Sequence, residues 1–176
     1  SPRSPFTTST LQQAASSRLG FSPSRTMGIA QKLYEQGFIT YMRTDSVNLA
    51  VSAQEQIISL IKKTYGKEYV EPRTHKTKSK NAQEAHEAIR PTDAGRESAG
   101  SNEDQKKLYR FIRERTIASQ MTDAKLLRTK ITATILEVKP QVTSGKAEFP
   151  DFTATGSRVM FDGWLRCDTR ARGEDV

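Results

Sequence analysis

The segment Gly37-Phe38-Ile39-Thr40-Tyr41-Met42-Arg43-Thr44-Asp45-Ser46 holds residue types from which phosphate chemistry can be built. In an extended chain, residues two apart share a face, so Tyr41, Arg43 and Asp45 project together. A phenol ionises only near a pKa of about 10, and a neighbouring cation favours the phenolate. Arg43 supplies that cation, and its planar fork of donors suits phosphate oxygens in a transition state where negative charge builds up. The same residues also suit a plainer arrangement, in which the tyrosine packs and Arg-x-Asp is a surface ion pair.

A second segment, Gln83-Glu84-Ala85-His86-Glu87-Ala88-Ile89-Arg90-Pro91-Thr92, adds a histidine and another arginine. If its start is helical, His86 and Arg90 stand one turn apart on one face. Pro91 disfavours a helical Arg90. Both side chains can bind phosphate, and an imidazole can also move a proton. His86-Glu87 is not a metalloprotease signature, because no second histidine follows at the required spacing. A structural histidine remains the alternative.

These residues must be positioned by the elements around them. The hydroxyl run Thr7 to Thr10 reads as a helix N-cap, with Gly20 as its stop. Ser22-Pro23-Ser24 restarts a helix with proline in the first turn. Met27, Ala30, Leu33 and Tyr34 follow at helical spacing, and Gly37 ends it. Phe38 to Tyr41 reads as strand. Ser52 and Glu55 predict a capping box before Ile57, Ile58, Leu60, Ile61 and Tyr65, with Gly66 as the stop. Lys67 to Ala82 is basic and nearly without apolar residues, which predicts a solvated loop. Ser101 and Asp104 predict the start of a helix whose buried stripe is Leu108, Phe111, Ile112, Ala118 and Met121. Beyond Leu126 the period changes to that of strands, over Thr129–Ile135 and Phe152–Met160. Phe161-Asp162-Gly163-Trp164 reads as a turn with an aromatic anchor, and Thr169 to Val176 as a frayed end.

The fold class is therefore α+β: a mainly helical domain over 1–125, then part of a β-rich domain over 126–176. A β segment this short cannot bury a core of its own, so it is expected to belong to a larger sheet. The start at Ser1, without an initiator methionine, fits a piece excised from a longer chain.

The 176 residues carry 28 Lys+Arg against 20 Asp+Glu, a net charge of +8. With a pI near 9.7 and a mean hydropathy of -0.67, that balance favours polyanionic partners, because each phosphate neutralised releases counterions. Cys167 is the only cysteine. It excludes an intramolecular disulfide and a cysteine-built zinc site, and it fits a reducing cytosol. The chain shows neither a signal peptide nor an apolar stretch long enough to span a bilayer.

Taken together, four motifs resemble one family. Thr40-Tyr41-Met42-Arg43-Thr44-Asp45-Ser46 is similar to the active-site sequence of bacterial DNA topoisomerase I, a type IA enzyme. Pro5 to Ala15, Gln83 to Asp93 and Phe161 to Trp164 resemble further motifs of that family, in the same order. Methionine at position 42 resembles topoisomerase I rather than topoisomerase III.

The resemblance implies that Tyr41 is a nucleophile. It would break one DNA strand, stay linked to the 5′ phosphate and free a 3′ hydroxyl. Arg43 would position the scissile phosphate and His86 would contact DNA, with Asp45 and Arg90 as further contacts or structural partners. The resemblance also implies Mg²⁺, held by a toprim domain. No D-x-D-x-x-E arrangement occurs here, so no metal ligands are expected in this chain. The implied partners are single-stranded and negatively supercoiled DNA and the remaining topoisomerase domains, in a cytoplasmic, nucleoid-associated setting. The fragment alone is expected not to relax DNA. Two other readings are a reverse gyrase parent and a non-catalytic basic DNA-binding module. Tyrosine recombinases and type IB enzymes fit less well, because their tyrosine follows the His/Arg motif rather than preceding it.

Overall fold

A computed structural model of the chain describes residues 1–75, 87–134 and 151–168. Helix α1 spans Thr8–Leu19, α2 Pro23–Glu35, α3 Val51–Thr64 and α4 Glu103–Ala118. Strands β1, Lys125–Ala133, and β2, Phe152–Phe161, form an antiparallel pair. The fold is α+β, as the change of periodicity predicts.

The helix ends follow local chemistry. Thr7 caps α1, accepting from the Thr10 N–H while the Thr10 hydroxyl accepts from the Thr7 N–H. Gly20 closes α1 at φ 68°, a left-handed conformation that costs a residue with a side chain. Ser22 caps α2 and Pro23 fills its first position, where the missing N–H costs nothing.

Two predicted starts are corrected. Ser52 and Glu55 make no capping box, because α3 begins at Val51, with Ala50 as its N-cap and no side-chain cap. The Ala50 N–H instead donates to the Glu87 carboxylate at 2.6 Å. A carboxylate from a distant segment thus meets the positive end of α3, so the local box is not needed. Likewise Asn102, not Ser101, caps α4, accepting from the Gln105 N–H at 3.0 Å. The Gln105 side chain turns back to accept from the Ser101 N–H at 2.8 Å.

Two apolar clusters hold the helices. One gathers Phe6, Leu11, Leu33, Ile39, Met42, Ile89, Leu108 and Ile112 among α1, α2, α4 and the segments between them. The other joins Ile57 and Ile61 of α3 to Tyr69, Ile117, Met121 and Cys167. The α4 stripe is buried as predicted.

The described part of the basic loop differs from its prediction. Lys67–Tyr69 forms a 3-10 turn, and Val70 pairs with Met121 in an isolated bridge. Arg73 is not solvated: it pairs with Glu71 at 2.8 Å and with Asp123, and its backbone bonds to the Gln54 and Gln120 amides. Residues 76–82 of that loop lie outside the described residues.

The ribbon runs in register from Leu126 opposite Val159 to Ala133 opposite Phe152, with an irregularity at Lys125/Leu126. Leu127, Ile131, Phe152 and Met160 are exposed on it. After β2 the chain returns to the helices through a 3-10 turn, Gly163–Arg166. Gly163 sits at φ 49°, where a Cβ would fall 2.5 Å from the Asp123 carbonyl oxygen, so only glycine passes there. Leu165 and Cys167 are buried beyond it, and Asp168 forms a buried ion pair with Arg18 of α1 at 2.9 Å. Trp164 is half-buried against the second cluster. The predicted frayed end, residues 169–176, lies outside the described residues.

Candidate active site

The segment 38–48 is extended, but it is not a strand of a sheet. Its only ladder contact among the described residues is a single bridge from Ile39 to Pro91. It runs instead between the 5–8 and 87–92 segments and is bonded to both. The Thr40 N–H donates to the Arg90 carbonyl at 2.9 Å, and the Thr92 N–H donates to the Phe38 carbonyl at 3.0 Å. The Ile89 N–H donates to the Phe6 carbonyl at 2.8 Å, and the Ala88 N–H to the Asn48 carbonyl at 2.8 Å. Three motifs far apart in sequence are therefore joined through their backbones.

Two threonines lock the stretch around Tyr41. The Thr40 hydroxyl donates to the Ala88 carbonyl at 2.7 Å and accepts from the Arg90 N–H at 3.0 Å. The Thr8 hydroxyl donates to the Met42 carbonyl at 2.7 Å and accepts from the Thr44 N–H at 2.9 Å. Each side chain stands in for a neighbouring strand, satisfying one donor and one acceptor that would otherwise be unpaired.

The result is a clean alternation. Met42, Thr44 and Ser46 are buried, while Tyr41, Arg43 and Asp45 are exposed. Met42, 1% exposed, is the anchor that points into the first cluster. Tyr41 is 49% exposed, with its ring edge-on to that of Tyr34 in the last turn of α2 at 5.2 Å. Tyr34 therefore turns outward from the stripe on which sequence spacing places it. Among the described residues, no hydrogen bond or ion pair engages the Tyr41 hydroxyl, the Arg43 guanidinium or the Asp45 carboxylate. An exposed phenol beside an uncommitted guanidinium on a fixed backbone can receive a phosphodiester.

Arg90 is placed differently. Its guanidinium donates to both Glu87 oxygens, at 2.8 and 3.3 Å, and to the Pro91 carbonyl at 3.1 Å. It is an internal brace that holds the carboxylate at the start of α3. From Glu87 onward the second motif is extended, not helical, as Pro91 requires. His86 lies outside the described residues. Thr8, Thr40, Glu87 and Tyr34 are the contributors that sequence reasoning missed. The hydroxyl run around Thr8 reads as a helix cap and as part of the Pro5 to Ala15 motif, and neither reading gives its clamp on Met42 and Thr44.

Among the described residues, no three His, Cys, Asp or Glu side chains gather to hold a metal ion. No described helix is long and apolar enough to cross a membrane.

The family model for DNA topoisomerase matches residues 1–176. The chain belongs to the DNA topoisomerase family. It is 48% identical over 166 residues to the DNA topoisomerase 1 of Zymomonas mobilis, covering 93% of this chain and 13% of that protein. To the DNA topoisomerase 1 of Mycobacterium tuberculosis it is 47% identical over 175 residues, covering 94% and 18%. Among solved structures, full-length topoisomerase I from Thermotoga maritima superimposes with a TM-score of 0.73 at 40% identity, covering 95% of this chain and 27% of that one. The chain thus spans less than a third of the length of these topoisomerases.

Proposed function

We propose that the protein carrying this chain is a type IA DNA topoisomerase and that Tyr41 is its nucleophile. The Tyr41 oxygen attacks the phosphorus of a single-strand phosphodiester. A P–O bond forms to tyrosine, the P–O3′ bond breaks, and the departing 3′ oxygen takes up a proton. The 5′ phosphate stays on Tyr41, and the reverse attack by the 3′ hydroxyl reseals the strand. The covalent link keeps the energy of the broken bond, so no ATP is required. Arg43 holds the non-bridging oxygens and offsets the charge that accumulates on them.

The observation that carries this reading is the alternation along 41–46. Tyr41 and Arg43 face outward together, uncommitted, on a backbone that Thr8 and Thr40 hold in place. A packing tyrosine would be buried and an Arg-x-Asp surface pair would be closed. By family resemblance, His86 contacts DNA near this site, next to the anchored Glu87. Asp45 lies on the same face and contributes to the DNA surface. Arg90 acts by bracing the motif.

In the whole protein, passage of a second strand through the break would relax negatively supercoiled DNA in the cytoplasm. Mg²⁺ would be supplied by a toprim domain outside this chain. The fragment alone would then not relax DNA. The test uses the full-length protein and its Tyr41→Phe variant with an end-labelled single-stranded oligonucleotide, trapped in denaturant. An adduct on the 5′ side of the break that disappears in Tyr41→Phe is the expected result. An adduct that survives the substitution, or none in either protein, would leave a basic DNA-binding module.

A further inference from the structure

Away from Tyr41, one face of α1 borders a cleft of about 430 Å³, lined by Arg3, Thr10, Gln13, Ser17, Arg18 and Arg115. Its size lies within the range of organic ligand sites, roughly 300–1,000 Å³. Three arginine side chains line it. Arg18 holds the Asp168 carboxylate at 2.9 and 3.1 Å.

Arg115 is the informative member. It is 7% exposed, and its guanidinium lies 4.5 Å above the Phe6 ring. Among the described residues it has no hydrogen-bond acceptor and no ion-pair partner. Burial, with Arg18 and Arg3 nearby and Asp168 opposing them, lowers its pKa to about 10, so it stays charged at neutral pH. Arg115 lines the cleft without a protein acceptor, so an anion there meets an uncommitted donor.

We infer that this cleft is a second contact for the phosphodiester backbone of a single-stranded polynucleotide, separate from Tyr41 and Arg43. Arg3 and Arg115 donate to a phosphate, and the Thr10 and Ser17 hydroxyls and the Gln13 amide line the path of the strand. This rests on the proposed DNA reading. The first turn of α1 carries Thr8, which clamps the Tyr41 segment, and Arg18 follows about 15 Å further along the helix axis. One rigid helix thereby fixes the spacing between the cleft and the reacting phosphate.

The test measures binding of a labelled single-stranded oligonucleotide to the full-length protein, from about 50 to about 200 mM salt. Arg3 and Gln13 are exposed, so Arg3→Gln and Gln13→Glu leave the packing intact; thermal unfolding confirms this for each. Arg3→Gln is expected to weaken binding several-fold and to flatten the salt slope by about 0.7, the single-strand value for one phosphate. Gln13→Glu should weaken binding most at low salt, and Lys62→Gln, on the exposed side of α3, should change neither quantity. Wild-type affinity and slope in both cleft variants would overturn the inference. Inorganic phosphate provides the second arm. If it raises the melting temperature of the wild type but not of Arg3→Gln, while oligonucleotide binding is the same in both, the cleft takes a free anion and the strand contact is wrong. The two readings fail separately. Loss of the slope effect removes the cleft and leaves the nucleophile, whereas an adduct persisting in Tyr41→Phe removes the nucleophile and leaves the cleft.

Discussion

Thr8 and Thr44 bond to each other three times. The Thr8 N–H donates to the Thr44 carbonyl at 2.9 Å, the Thr44 N–H donates to the Thr8 hydroxyl at 2.9 Å, and the Thr8 hydroxyl reaches the Thr44 carbonyl at 3.1 Å. The first of these uses a backbone donor that the start of a helix always leaves spare. A helix terminus thus acts as the missing neighbour strand for the segment that carries Tyr41 and Arg43. Thr8→Val keeps the shape and deletes the hydroxyl, leaving the Thr44 N–H and the Met42 carbonyl without that partner. The expected cost is about 1–3 kcal/mol in urea unfolding, with a lower yield of covalent adduct in the full-length protein.

Tyr41 and Met42 are adjacent and face opposite ways, which separates chemistry from packing. Tyr41→Phe removes one hydroxyl from an exposed ring, and its unfolding midpoint should match the wild type within about 0.5 kcal/mol. Met42→Ala opens a cavity in the first cluster and should cost about 2–5 kcal/mol. Urea titrations of the two variants check the contrast. Equal stability losses would mean that Tyr41 is part of the core.

Glu87 serves two partners, the Ala50 N–H and the Arg90 guanidinium. Glu87→Gln keeps an acceptor for Ala50 and loses the ion pair, while Glu87→Ala loses both. Circular dichroism with urea titration should rank them wild type, Gln, Ala, with Glu87→Ala down by about 1–3 kcal/mol. The same order is expected for adduct yield, because Ala88 and Arg90 hold Thr40.

The ion pair between Arg18 and Asp168 joins α1 to the segment that returns from the ribbon, and both side chains are less than 10% exposed. Asp168→Ala removes one carboxylate from the buried Arg18 guanidinium, which should cost about 1.5–3 kcal/mol. Proteolysis should then cut near Arg166 faster than in the wild type. An unchanged cutting rate would show that Leu165 and Cys167 suffice to hold the return.

Burial raises Cys167 from 9.0 to about 12, and burial with the neighbouring Cys167 raises Tyr65 as well. A folded pKa above the unfolded one gives stability that is complete below the unfolded value and lost as pH rises through the folded one. The stability curve should therefore be flat with respect to Cys167 below pH about 9 and fall between about 9 and 12. Cys167→Ala should shallow that fall. In the folded chain the thiol should resist alkylation at neutral pH until denaturant is added.

The sequence by itself determined the helices whose signals are local. Thr7 and Gly20 bound α1, Ser22 and Pro23 start α2, and the apolar stripe fixes the buried face of α4. It also determined the shared face of Tyr41, Arg43 and Asp45, because a period of two belongs to any extended chain. Only the tertiary structure decided what holds that chain extended. Thr8, Thr40 and Glu87 act across separations of 34 to 48 residues, and a bond between distant segments leaves no periodic trace in either. The same reason moved the start of α3 from a local box to Ala50 and brought Arg3, Arg18 and Arg115 to one cleft.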